Sequence, residues 1–156
     1  MKSHWCRLAT TADLDELVRL RVLMQKEVNA ATDDAFDPAY RDDVRKYFAR
    51  AILDGTYVSA VAEAEGRLVA ATGLVIFEKP PSLRGRNGRI GYFTNVFTET
   101  GSRGLGLATK LMELSIAEAK RRGVDNLQLG SQPGAVGVYE RVGFRPTRLP
   151  QLELKL

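Results

Sequence analysis

The chain has 156 residues, 44% of them hydrophobic and 27% charged, with a single Cys and a single His. These figures exclude collagen-like, disordered and disulfide-scaffold chains, and the length suits one domain spanning residues 1–156. The lone His and Cys cannot supply the usual zinc ligand set, so no metal is expected, and 23 Lys+Arg against 19 Asp+Glu leave a net charge of +4 that invites an anionic partner.

Residues 5–9 read as a first strand. Thr10 or Thr11 then offers a helix cap, and Leu14, Leu17, Val18, Met24 and Val28 mark an apolar helical face running to about Ala31. Asp37 followed by Pro38 is a second helix start; Val44, Tyr47, Phe48, Ala51 and Ile52 carry that helix to a stop at Gly55. From there the period changes from 3.6 to 2. Residues 57–64 read as a strand, Glu65-Gly66 as a hairpin turn, and residues 68–78 as a long apolar strand. Lys79-Pro80-Pro81 breaks that run, and residues 82–88 form an Arg- and Gly-rich loop.

Residues 90–98 return as a strand, with Tyr92, Thr94 and Val96 expected on one face and Phe93, Asn95 and Phe97 on the other. After a glycine-rich turn, Leu105, Ala108, Leu111, Met112, Ser115, Ile116 and Ala119 trace a helix that ends in Lys120, Arg121, Arg122 and Gly123. A strand at 126–130, a short helix over 135–142 and strands at 144–147 and 152–156 complete the chain. The order β-α-α-β-β-β-α-β-α-β-β predicts an α/β (α+β) mixed sheet of six to seven strands flanked by helices. Nothing along the chain has the length of a signal-peptide core or of a membrane span, so the expectation is a soluble, cytoplasmic protein without membrane contact.

The segment Gly101-Ser102-Arg103-Gly104-Leu105-Gly106 lies between a strand and the strongest helix. A helix N-terminus exposes unpaired N–H groups, and glycines let an anion approach them. A Walker A loop is rejected because Lys110 comes too late, and a dinucleotide fingerprint because Thr109 stands where its third glycine belongs. Gly101-Ser102-Arg103-Gly104 also fits the four-residue clamp of KH domains, but there the loop joins two helices.

Placed on its strand, the run Asn95-Val96-Phe97-Thr98-Glu99-Thr100-Gly101-Ser102-Arg103-Gly104-Leu105-Gly106-Leu107-Ala108 resembles motif A of the GNAT (GCN5-related N-acetyltransferase) superfamily. Downstream, Val138-Tyr139-Glu140-Arg141-Val142-Gly143-Phe144 is similar to that family's Leu-Tyr-Glu-x-x-Gly-Phe segment, and Arg7 to Leu14 resembles its opening strand and turn. Three positions depart from the pattern: Gly101 stands where Arg or Gln is common, Thr98 where Pro is common, and Gln132 where Asn often precedes the tyrosine helix.

The resemblance implies an acetyl-CoA-dependent N-acetyltransferase that moves an acetyl group to an amine of a small molecule or protein. Acetyl-CoA would be a cosubstrate. Its pyrophosphate would sit on the backbone of Ser102, Arg103, Gly104, Leu105, Gly106 and Leu107, with Arg103 adding a charged fork. The pantetheine arm would follow the strand edge at Thr94, Asn95 and Val96, where a backbone N–H near Val96 would meet the thioester oxygen. Tyr139 would protonate the departing sulfur. The base stays open among Glu99, Glu78 and a water relay. Asp33, Asp34 and Asp37 would suit a cationic acceptor, whereas Lys79, Arg84, Arg86 and Arg89 would suit an anionic one; both groups read more simply as solvated charge. The competing reading is a non-catalytic module that binds CoA or nucleic acid through the same loop and basic surface, with nucleic acid the weaker option. A homodimer is left open.

Overall fold

The structure, a computed structural model, describes residues 3–156. Strand β1 (Trp5–Leu8) leads into a single 3-10 turn (Thr11–Asp13), where Thr10 and Asp13 form a reciprocal capping box. Ala12 N–H donates to Thr10 Oγ1 at 3.3 Å, and Thr10 N–H donates to Asp13 Oδ2 at 2.8 Å. Helix α1 (Leu14–Asn29) buries Leu14, Leu17, Val18, Leu20, Val22 and Met24. Val28, expected on that face, is exposed. Helix α2 (Pro38–Asp54) starts as its sequence predicts: Asp37 Oδ1 accepts from Tyr40 N–H at 2.8 Å, Pro38 occupies the first turn, and Gly55 ends it at φ +80°.

The predicted strand over 57–64 is two pieces, β2 (Tyr57–Val58) and β3 (Ala60–Ala64), divided at Ser59. Both pair antiparallel with β4 (Arg67–Glu78). Ser59 Oγ donates to the Thr72 carbonyl at 2.6 Å, which fastens the break to the neighbouring strand. Glu65 and Gly66, both at positive φ, make the tight hairpin turn that suits the twist of β3 and β4. Strand β5 (Arg89–Thr98) runs antiparallel to β4; helix α3 (Leu107–Arg121) crosses over to β6 (Asn126–Leu129), which lies parallel to β5. The short α4 (Val136–Arg141) follows a 3-10 turn. Sheet order is β1-β3-β4-β5-β6, with β2 against β4, giving six strands in a mixed sheet.

Helices α1 and α2 cover one face, with Leu17, Leu20, Phe48, Val61, Ala71 and Phe97 in one cluster. Helix α3 covers the other through Leu107, Leu111 and Met112. Each fully buried leucine or methionine there contributes about 1.5–3 kcal/mol relative to exposure. Where α3 meets the sheet, Thr72 Oγ1 and Ser115 Oγ share a buried hydrogen bond of 2.7 Å. Leu105 was expected on the buried face of α3 but precedes the helix and is exposed; Leu107 fills that place.

The strands expected at 144–147 and 152–156 do not form. Pro146 and Pro150 each lack the N–H that a ladder requires. Residues 152–156 keep their alternation, yet no neighbouring strand pairs with them among the described residues, and Leu152, Leu154 and Leu156 are exposed. Phe144 still packs into the α3-side cluster without being part of a strand.

Candidate active site

Strands β5 and β6 pair from Ile90/Asn126 to Phe93/Leu129, and β6 ends there. At the same level Gly73 faces Asn95 while Leu74 faces Phe93, so Thr94 is an extra residue in β5 without a partner on β4. This bulge corrects the expected alternation. One added residue reverses the face of everything beyond it, so Phe93 packs beneath α3 while Phe97 packs beneath α1 and α2.

The bulge and the end of β6 together leave 94–98 with an open edge. Glu99 N–H donates to the Val69 carbonyl on β4 at 2.9 Å. Backbone groups alternate along a strand, so Phe97 also faces β4 whereas Val96 and Thr98 face away, toward the opening. The Thr98 carbonyl confirms that direction by accepting from Arg103 Nε at 2.9 Å. Val96 therefore presents an N–H at the open edge, and a carbonyl oxygen laid against it would find a fixed donor.

Just beyond the strand the chain makes a 3-10 turn (Thr100–Ser102) and enters α3. The start of α3 contrasts with that of α2: no side chain caps it, and its first turn carries no acidic residue. Ser102 and Arg103 use their N–H groups inside the turn, on the Glu99 and Thr100 carbonyls. Gly104, Leu105, Gly106 and Leu107 have N–H groups without a backbone acceptor among the described residues. Gly104 and Gly106 adopt φ of +76° and +71°, a region costly for other residues, and a Cβ on either would meet nothing within 4 Å. The uncapped amides and the positive end of the helix dipole give this corner the chemistry that suits an anion.

Arg103 is already engaged by neighbouring groups. Its guanidinium pairs with Glu27 of α1 at 2.6 Å, besides the Thr98 carbonyl, and lies over the Phe97 ring. Gly101, where the resemblance expects Arg or Gln, has open space around its missing Cβ, so nothing in the packing requires a glycine.

Tyr139 on α4 is half-buried at the end of the β5–β6 ladder. Its ring meets Phe144 edge-on at 6.3 Å, and Phe144 meets Phe93 at 6.0 Å. The hydroxyl has no hydrogen-bond partner among the described residues, and burial pushes the phenol above its ordinary value, so it stays protonated at neutral pH. The ring borders an open groove of about 1380 Å³ that also touches Tyr92, Ile116, Lys120 and Leu129.

The carboxylates considered as bases are placed differently. Glu99 Oε1 accepts from both Arg19 and Arg67, the latter at 3.1 Å, and Arg19 is itself bound to Glu16 and the Leu68 carbonyl. Glu78 ends β4 in solvent, 4.0 Å from Arg89. Two of the three acidic residues between α1 and α2 have structural partners: Asp33 pairs with Lys26 and Asp37 caps α2, while Asp34 is exposed. The 79–88 loop docks on the end of α3, where Asn87 Nδ2 donates to the Gly123 carbonyl at 2.6 Å and Arg89 Nη1 to the Arg122 carbonyl at 2.5 Å.

Two residues that sequence reasoning passed over, Arg21 and Tyr57, also gather at the bulge beside Asn95. Arg21 of α1 reaches the Thr94 carbonyl at 3.5 Å. Tyr57 lies buried under Gly73, its phenol pushed well above the ordinary range by burial, and the neighbouring Asn95 has a buried Oδ1 without a partner. The available signal was a charge set between two buried positions, Leu20 and Val22, on an otherwise apolar helix face.

Among the described residues no group of three or more His, Cys, Asp or Glu could hold a metal ion, and no helix is long and apolar enough to cross a membrane. The family model of the acetyltransferase (GNAT) family matches residues 23–144. A comparison with curated proteins returns no match. Among solved structures, a predicted acetyltransferase from Clostridium acetobutylicum, crystallised with acetyl-CoA, is 27% identical with a TM-score of 0.86, the match covering 98% of this chain and 96% of that one. A GCN5-related N-acetyltransferase from Ralstonia eutropha JMP134 is also 27% identical, with a TM-score of 0.80 over 97% of this chain and 99% of that one. Glucosamine-6-phosphate N-acetyltransferase from Arabidopsis thaliana shares the fold at 19% identity and a TM-score of 0.74, covering 97% of this chain and 98% of that one.

Proposed function

The chain belongs to the acetyltransferase (GNAT) family, and from that premise we propose that it is one catalytic domain over residues 1–156 that transfers an acetyl group from acetyl-CoA to an amine. The observation that carries the reading is the meeting, at the end of β5, of an open strand edge with the uncapped N-terminus of α3. The pyrophosphate is held by the N–H groups of Gly104, Leu105, Gly106 and Leu107, and Ser102 and Arg103 shape the turn that aims them. Arg103 can exchange Glu27 for the phosphate, since both pair with a guanidinium fork. The pantetheine arm follows Thr94, Asn95 and Val96, where β6 no longer competes for the edge.

Attack by the amine turns the thioester oxygen into an oxyanion, and Val96 N–H stabilises it; one such donor is typically worth about 10²–10³ in rate. The C–S bond then breaks and the sulfur leaves with the electron pair. Tyr139, protonated and without a competing partner, donates its proton there. Glu99 is held by two arginines, so in this reading the acceptor ammonium gives one proton to water before its nitrogen attacks, and the proton that nitrogen sheds as the amide forms returns to the Tyr139 oxygen through solvent.

The test is calorimetric titration with acetyl-CoA, followed by a free-thiol assay over a panel of amines. Tyr139→Phe should keep acetyl-CoA affinity and lose about 10²–10⁴-fold in kcat. An unchanged kcat removes Tyr139 from the reaction. Strongly salt-dependent RNA binding without acetyl-CoA binding overturns the transferase reading altogether.

A further inference from the structure

Eight of the 16 arginines meet a carboxylate: Arg7, Arg19, Arg45, Arg67, Arg89, Arg103, Arg121 and Arg122. Of the eight that do not, among the described residues, Arg21 alone is not exposed. It is half-buried on α1 between the buried Leu20 and Val22, and its sole hydrogen bond is the 3.5 Å approach to the Thr94 carbonyl, at the outer limit for such a bond. A partly desolvated guanidinium without a counter-ion is costly to keep, and its planar fork matches a carboxylate or phosphate.

Its surroundings fit a binding place. The phenols of Tyr47 and Tyr57 both feel the Arg21 charge, which opposes the upward push of burial in each. The two rings stand 5.9 Å apart, and the buried Asn95 Oδ1 nearby has no partner. Of the three acidic residues that could have drawn a cationic acceptor, Asp33 is taken by Lys26 and Asp37 by the start of α2, which leaves the exposed Asp34.

We propose that Arg21 selects the acceptor, and that the acceptor is a small primary amine carrying a carboxylate or phosphate. The inference rests on the assignment of this site to acetyl transfer. Arg21 touches the bulge at Thr94, and the reacting carbonyl would lie two residues on, at Val96, about 7 Å along a strand. The acceptor therefore has its amine and its anion only a few bonds apart.

Matched probes decide it: O-phosphoethanolamine against ethanolamine, and β-alanine against propylamine, each measured by thiol release from acetyl-CoA. In the wild type the anionic member of at least one pair should have the higher kcat/KM, by about 10- to 150-fold, the range of a charge-assisted hydrogen bond. Which pair responds identifies phosphate or carboxylate. In Arg21→Gln the ratio should fall toward one through KM, with acetyl-CoA affinity unchanged by calorimetry, and Arg21→Lys should regain part of it. A wild-type ratio of one or less in both pairs overturns the proposal, as does a ratio in Arg21→Gln equal to that of the wild type. Failure of the wild type to bind acetyl-CoA would remove the transferase reading and this one together. Binding with a ratio of one removes this one alone.

Discussion

Replacing Gly73 with Ala places a Cβ at the strand position that faces Asn95, directly under the bulge. That atom would lie 2.1 Å from the Tyr57 hydroxyl oxygen, 2.8 Å from Asn95 Cβ and 2.9 Å from Tyr57 Cζ. The tyrosine cannot retreat easily, since it is only 3% exposed and its ring packs against Phe48 at 5.0 Å and Tyr47 at 5.9 Å. Overpacking of a tight core costs about 1–3 kcal/mol, and a 2.1 Å contact belongs at the upper end. For a chain of this size about 3 kcal/mol corresponds to a fall in Tm of about 6–12 °C. Tyr57→Phe in the same background removes the closest atom and leaves contacts of 2.8 and 2.9 Å, so part of the loss should return. A double-mutant cycle by thermal and urea unfolding should show coupling of about 1–2 kcal/mol between the two positions. Acetyl-CoA affinity should fall with Gly73→Ala, because relief of the clash displaces β5 at its open edge. A Tm within 1–2 °C of the wild type, or losses that simply add in the double variant, would refute the packing argument (a 1–2 °C shift is about 0.5 kcal/mol).

Gly106→Ala should lower Tm by about 2–4 °C from its positive φ alone, and weaken acetyl-CoA binding by more than that loss explains; Gly101→Gln, in open space, should leave Tm unchanged and tighten binding in the same titration. Glu27→Gln should raise acetyl-CoA affinity a few-fold by releasing Arg103, an effect that fades at high salt; no change would mean that Arg103 takes no part in binding the cosubstrate. Glu118 is held down to about 2 by Arg121 and Arg122. Its stabilisation is complete above the ordinary value of 4.5 and is lost as pH falls toward 2, so Glu118→Gln should cost about 1–2 kcal/mol at pH 7 and flatten the acid limb of Tm against pH.

Local order was readable wherever the chain carried its own instructions. Asp37-Pro38 and Gly55 bracket α2 because a cap, a fixed φ and a left-handed stop are all properties of those residues. Glu65-Gly66 was a turn for the same reason. The glycine loop was legible because Gly104 and Gly106 need a backbone that other residues resist. The errors share a cause. Residues 152–156 alternate like a strand, but a strand also needs a pairing partner, and among the described residues this segment pairs with none, although β1 and β6 each keep an unpaired edge. Alternation put Phe93 and Phe97 on one face because a bulge leaves no mark in a run of β-branched and aromatic residues; it exists only as a register between two strands.

By itself, the sequence determined most of the element order as far as α4, the glycine-rich start of α3 and the family to which these motifs belong. Those depend on capping, periodicity and glycine conformation, which act over a few residues. The tertiary structure alone decided which groups are free to act. It closed Glu99 with arginines 80 and 32 residues away, lent Arg103 to Glu27, left Arg21 without a counter-ion and turned Val96 N–H to an open edge. Each of those outcomes depends on which charges and backbone groups meet across the fold, and long-range contact is what a local pattern cannot carry.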